Sequence, residues 1–201
     1  MSAACYFYAA AAITGSTVTV KGVHPDISQG DIRFLDVLRQ MGCTVEDTRE
    51  GIRLTGPAGM APPFLSAAST AGRPLLHGIS VNMNDFSDQA LTLAAIAPFA
   101  DSPVEITGIA HIRGQECDRL HAMAENLTRA GIRTEEGEGS IRIDPGIPHA
   151  CRIETYEDHR VAMSFALMGL RTEGIRISNP ACCAKTFPDY FSLLEDFAHR
   201  Q

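Results

Sequence analysis

The sequence is short of positive charge: Lys and Arg together number 17 against 24 Asp and Glu, for a net charge of −7. Nucleic acid and anionic membranes both attract a protein through a cationic face, so neither is an expected partner. The chain also lacks a CxxC spacing and any matching His pattern. Its cysteines, Cys5, Cys43, Cys117, Cys151, Cys182 and Cys183, are scattered, so neither a zinc site nor a disulfide framework is expected. Reduced thiols fit a cytoplasmic protein. The apolar run from Ala3 to Ile13 is too short to span a bilayer, and no cationic segment precedes it as a signal peptide would require. That run reads as a buried helix, and a chain beginning directly inside one reads as a truncation or an engineered start. Signs of disorder are missing too. With 45% hydrophobic and 20% charged residues, the 201-residue chain can bury one substantial core or two small ones.

Periodicity and punctuation predict a helix over Ser2–Thr14, a strand over Thr17–Val23, a helix over Asp31–Met41 and short strands at Thr44–Asp47 and Ile52–Thr55. A stretch rich in Pro, Gly, Ala and Ser from Pro57 to Gly78 reads as a linker without secondary structure. The pattern then restarts with strand Ile79–Asn84, helix Asp88–Phe99, strand Pro103–Ile109, helix Glu116–Ala130 and strands at Arg133–Glu136 and Ser140–Asp144. A third round has strand Arg152–Tyr156, helix His159–Arg171, strand Ile175–Ser178 and helix Lys185–Ala198.

These rounds are alike in residues as well as in order. Val18–Val23 lies over Val104–Ile109, and Leu38, Gly42, Glu46 and Ile52-Arg53 lie over Leu127, Gly131, Glu135 and Ile141-Arg142. The chain therefore reads as an α/β domain of about three βαβαββ units, incomplete at both ends. Residues 1–56 form a first unit without its opening strand, 57–78 a linker, 79–146 a second unit, and 147–201 a third without its closing strand pair. Units that cannot bury their apolar faces alone pack around a shared core. A closed, roughly threefold arrangement is expected.

Chemistry gathers at the loop-to-helix junctions. Arg113-Gly114-Gln115-Glu116-Cys117-Asp118-Arg119 sets Glu116 and Arg119 three apart, on one face of the expected helix. A carboxylate that can move a proton then stands beside a guanidinium that can grip an oxyanion; an ordinary solvated ion pair is the plainer alternative. Asp88 precedes an Ala- and Leu-rich helix as a natural N-cap. His159 and Arg160 fall in the first turn of a helix, where the dipole least favours cations, which suggests an arriving anion; pairing of Arg160 with Glu157 or Asp158 is the alternative. Lys185 likewise stands at an expected helix start, with Pro188 in its first turn. Arg119, Arg160 and Lys185 together describe a site for a small polyanion at helix N-termini.

The stretches ACYFYAAAAI, QGDIRF, the region of Asp88, RGQECDR, YEDHRVAM and AKTFPDYF occur in an order that resembles the C-terminal part of the 5-enolpyruvylshikimate-3-phosphate (EPSP) synthase family. The likeness runs nearly end to end, broken mainly at Pro57–Gly78. AKTFPDYF and DHR separate the chain from the related UDP-N-acetylglucosamine enolpyruvyl transferases and from RNA-cyclase-like enzymes. The resemblance implies an inside-out α/β prism and transfer of an enolpyruvyl group from phosphoenolpyruvate to the 5-hydroxyl of shikimate 3-phosphate, with release of phosphate and no metal or organic cofactor. By motif, Asp88 resembles the base that takes the hydroxyl proton and holds that substrate, and Glu116 the acid that protonates the methylene carbon of phosphoenolpyruvate. Arg119, His159, Arg160 and Lys185 resemble the phosphoenolpyruvate clamp, and His111 and Gln115 fall among the shikimate 3-phosphate contacts.

Two positions depart from the family pattern. Gln115 stands where a Lys is usual, and His111 where an Asn is common. An amide can still hydrogen-bond a hydroxyl but supplies no charge, so both changes bear on affinity for shikimate 3-phosphate. In the family the site lies between two domains, and the N-terminal one is nearly all absent here. The expected outcome is a fragment of a transferase, inactive until that missing domain joins it. The alternative is an anion-binding half of a split enzyme or a non-catalytic module of the same fold.

Overall fold

Buried helices lie behind sheets that turn one face outward in the computed structural model, which describes residues 2–25, 30–57 and 76–200. Helix α1 (Ser2–Thr14) is apolar on every side and buried from Ala4 to Thr14 except at the half-buried Phe7, as a helix surrounded by protein must be. It packs against α3 (Ala90–Ile96), every residue of which is buried, and α3 in turn packs against α5 (His159–Ala166). The small side chains Ala9–Ala12, Ala90, Ala94 and Ala95 are fully buried and let these elements approach closely. Among the described residues no helix is long and apolar enough to cross a membrane. All the cysteines are free.

Strands β1 (Thr17–Lys21), β2 (Thr44–Thr48) and β3 (Gly51–Thr55) form an antiparallel sheet of order β1-β3-β2. The second sheet, of order β4-β5-β7-β6, contains β4 (Ser80–Asn82), β5 (Val104–Thr107), β6 (Thr134–Glu136) and β7 (Ile141–Ile143). Its β4-β5 pair is parallel and the others antiparallel. The third joins β8 (Arg152–Ile153) to β9 (Arg176–Ile177) in parallel. The first sheet thus repeats the connectivity of β5-β7-β6, and the third that of β4-β5. Alternation decides the faces: Ile52 and Leu54, Val104 and Ile106, and Ile141 and Ile143 point inward, whereas Arg53, Glu105 and Arg142 are exposed. Register places Glu105 opposite Arg142, and Glu46 opposite Arg53.

The remaining helices are α2 (Phe34–Gln40), α4 (Arg119–Arg129) and α6 (Tyr190–His199). Several starts and stops differ from the sequence expectation. Residues Gly30–Arg33 form a 3-10 turn ahead of α2, and 3-10 segments at Asn84–Gln89 and Ala97–Phe99 flank α3. Helix α4 begins at Arg119 because Asp118 caps it, accepting the His121 amide at 3.0 Å. Glu116 therefore lies on a bend before the helix and does not share its face with Arg119. Helix α6 begins at Tyr190, so neither Lys185 nor Pro188 is in its first turn; Pro188 holds the preceding residue away from helical dihedrals. Strand β1 ends at Lys21, where Gly22 turns with φ 72°. Of the stretch Pro57–Gly78, residues 58–75 lie outside the described residues, as does Gln29 of QGDIRF. At the far end of that stretch, Leu76 bridges Ala100 and is fully buried.

Candidate active site

Arg119 turns inward from the first turn of α4, and only 4% of its side chain remains exposed. A guanidinium so buried needs acceptors for its whole fork. Nε donates to Asp158 Oδ2 at 2.7 Å and Nη2 to Asp158 Oδ1 at 3.5 Å, while Nη1 donates to Asp88 Oδ1 at 3.2 Å. Nη1 also donates to the Gln115 amide oxygen, and Nη2 stands 3.9 Å from Glu116 Oε2.

Asp158 is fully buried at the N-cap of α5, where Oδ1 accepts the Arg160 amide at 2.8 Å. The Cys117 thiol also donates to it, at 3.6 Å. Burial pushes the Asp158 carboxyl up, but the Arg119 hydrogen bonds and charge outweigh burial and hold it below the usual carboxylate range. Burial likewise opposes the charge on Arg119, and the Asp158 pairing more than restores it.

Asp88 projects from the 3-10 segment ahead of α3. It does not cap that helix: the N-cap residue is Gln89, without a side-chain cap bond. The Asp88 carboxylate reaches two guanidiniums instead, Arg119 Nη1 at 3.2 Å and Arg160 Nη2 at 2.9 Å. Arg160 thus pairs with Asp88, and its link to Asp158 is through the backbone amide only. Glu116 Oε2 lies 3.0 Å from His159 Nδ1, His159 being mostly buried and Glu116 half exposed.

Asp88, Glu116, Arg119, His159 and Arg160 are therefore brought together, with Gln115 on their edge. Gln115 lines an open cleft of about 440 Å³ shared with Ser2, Asp31, Asn84, Asp85 and Asp88. His111 lies nearby, its Nε2 2.8 Å from the hydroxyl of Ser87, which lines the same cleft. Lys185 is exposed, and among the described residues no hydrogen bond or ion pair joins it to this group. Its neighbour Thr186 does line a small cavity of about 60 Å³ with Tyr6, His159 and Arg160. Arg113, first in its charged stretch, is a strut: it donates to Asp118, Glu136 and the carbonyls of Gly137 and Glu138.

Sequence reasoning missed Asp158 as the centre of the cluster. The available signal was its position one residue before a helix-periodic run, the N-cap position. Among the described residues one group could hold a metal, Glu116, Asp158 and His159, with ligand atoms within 4.8 Å of one another. A cation there would face Arg119 across the same carboxylates, so the donor set fits a metal poorly. What the cluster can do is grip an oxyanion between two guanidiniums while a carboxylate and an imidazole stand by to move a proton.

A sequence model described as EPSP synthase (3-phosphoshikimate 1-carboxyvinyltransferase) matches residues 1–194. The 3-phosphoshikimate 1-carboxyvinyltransferase of Nostoc punctiforme is 47% identical over 191 residues, covering 95% of this chain and 41% of the relative. The chloroplastic enzyme of Arabidopsis thaliana is 43% identical over 195 residues, covering 96% and 36%. Among solved structures, EPSP synthase from Acinetobacter baumannii superposes with a TM-score of 0.79 at 29% identity, covering 97% of this chain and 45% of that one. The enolpyruvyl transferase NikO from Streptomyces tendae, with a TM-score of 0.65 at 21% identity, covering 96% and 41%, shares the fold. The chain spans about two fifths of the length of the curated relatives it matches.

Proposed function

The chain belongs to the EPSP synthase family, and from that premise we propose that it carries the acid-base and anion-gripping part of an enolpyruvyl transfer site. The observation that supports this reading is the seat of Asp88: a carboxylate lies between the guanidiniums of Arg119 and Arg160, as a substrate oxyanion would. Phosphoenolpyruvate takes that place, and Asp88 is released toward the cleft.

There Asp88 removes the proton of the shikimate 3-phosphate 5-hydroxyl, and the oxygen bonds to C2 of phosphoenolpyruvate as C3 takes a proton from Glu116. The tetrahedral adduct then loses a C3 proton and phosphate, which restores the double bond. His159, 3.0 Å from Glu116, holds and orients that carboxyl. His111 and Gln115 contact the shikimate 3-phosphate side of the cleft, and Lys185 closes on the phosphate of phosphoenolpyruvate from its turn beside Thr186. No resident cofactor takes part.

We read residues 1–56, 79–146 and 147–201 as the repeat units and 57–78 as the linker between the first two. The rest of the family's length supplies the facing domain of a cytoplasmic enzyme, and the fragment turns nothing over alone because half the contacts and the exclusion of water are missing. The alternative of a split enzyme, with this chain as its anion-binding half, draws on the same partial span.

Mixing the chain with the N-terminal part of the Nostoc punctiforme relative and following phosphate release tests this. Release should require both polypeptides and both substrates, and Asp88→Asn or Glu116→Gln should slow it by about 100-fold or more. Release by this chain alone, or undiminished release with both variants, refutes the assignment.

A further inference from the structure

The chain reaches the Asp158–Arg160 cluster through a turn of unusual hand. Thr155, Tyr156, Glu157 and Asp158 form a reverse turn closed by the Asp158 amide, which donates to the Thr155 carbonyl at 2.9 Å. Both central residues have positive φ, 53° at Tyr156 and 58° at Glu157. That is the pattern of a type I′ turn, whose central positions Asn and Gly normally fill. Every other positive φ among the described residues is at a glycine. Left-handed dihedrals at two adjacent residues with full side chains are unfavourable, and such strain persists only where surrounding contacts over-determine it.

Those contacts are present on both sides. The Tyr156 hydroxyl donates to Glu125 on α4, and Glu125 is itself held by Arg129 Nε at 3.2 Å. Across the turn, the Glu157 carboxylate accepts from Asn179 Nδ2 at 2.9 and 3.0 Å. The next residue is Asp158, which must reach Arg119 and the first amides of α5 at once.

We propose that Tyr156 and Glu157, anchored by Glu125 and Asn179, are positioning residues: a clamped left-handed turn that aims Asp158 at Arg119 and Arg160 at Asp88. A right-handed turn would send the chain into α5 along another direction and part Asp158 from one of its two partners. The proposal deepens the anion-site reading and takes its functional meaning from it.

The readout is hydrogen exchange at the Arg119 side-chain Nε–H, which reports the Arg119–Asp158 bond in the ligand-free chain. Glu157→Gly removes the backbone penalty and the anchor together. It should leave the thermal midpoint unchanged or raised while speeding Arg119 Nε–H exchange by about tenfold or more. Asn179→Ala, which leaves the turn residues intact, should speed exchange in the same direction, and Glu157→Gln, which keeps an acceptor for Asn179, should stay within about twofold of the parent. Exchange unchanged in both Glu157→Gly and Asn179→Ala overturns the proposal. So does faster exchange matched in both by a falling thermal midpoint, the behaviour of a merely structural residue. Should Glu157→Gly not fold, Asn179→Ala decides alone. Absence of phosphoenolpyruvate binding by the parent counts against the function reading and leaves these ligand-free rates to judge the turn.

Discussion

Asp158 has no exposed surface and serves three donors: the fork of Arg119, the Arg160 amide and the Cys117 thiol. Removing its charge leaves a buried guanidinium partly uncompensated, so Asp158→Asn should destabilise the chain by roughly 3 kcal/mol in urea unfolding at neutral pH. The pH dependence follows from the depressed carboxyl. Its folded value lies below the ordinary 3.8, so its contribution is complete above that pH and is lost as pH falls through the folded value. The asparagine variant should lack this acid limb, its deficit against the parent shrinking as pH falls; an undiminished deficit at low pH would show that charge is not what Asp158 supplies. The motif DHR marks His159 and Arg160 as anion-facing, yet Asp158 is visible in it only as a neighbour available to Arg160. Its true partner, Arg119, is 39 residues away, and no local pattern reports that pairing. Asp88 shows the converse: its position suits an N-cap, but two guanidiniums draw the carboxylate away from the helix.

Among elements, α1 sets the tolerances of the core. Gly56, just past β3, approaches it so closely that a Cβ would meet the Ala11 carbonyl oxygen at 2.3 Å and Gly15 Cα at 2.9 Å. Both are backbone and cannot swing aside. Gly56→Ala should therefore cost on the order of 2 kcal/mol in urea unfolding, whereas a loss near zero would mean that α1 can shift on its neighbours. The burial of α1 was legible from its unbroken apolar run, and the existence of α4 and α6 from their periodicity. Their starts were not. Charge continuity through Glu116 suggested a helix that Asp118 in fact caps three residues before His121, and Pro188 delays α6 to Tyr190. Cap geometry depends on which acceptor captures the first free amides, and periodicity is blind to that.

For the whole molecule, the repeat was readable because strand order and turn glycines recur: Gly22 and Gly108 adopt φ 72° and 73°, and Gly42 and Gly131 φ 103° and 80°, at matching places. The sheets β1-β3-β2, β4-β5-β7-β6 and β8-β9 are overlapping portions of one connectivity. They turn helix N-termini and their preceding loops toward a common end, where Asp88, Glu116, Arg119, His159 and Arg160 meet across three sequence-distant segments. Among the described residues Lys185 is outside that contact network: it is exposed on the turn before α6, which begins only at Tyr190.

Titration of the chain with phosphoenolpyruvate, followed by backbone and arginine side-chain chemical shifts, tests the central claim most directly. The account predicts weak, saturable binding, with Kd of about 1 mM or above, shifts concentrated at Asp88, Arg119, His159 and Arg160, and their loss in Arg160→Met. Shifts confined to other surfaces, or a saturation curve indifferent to Arg160→Met, would contradict it.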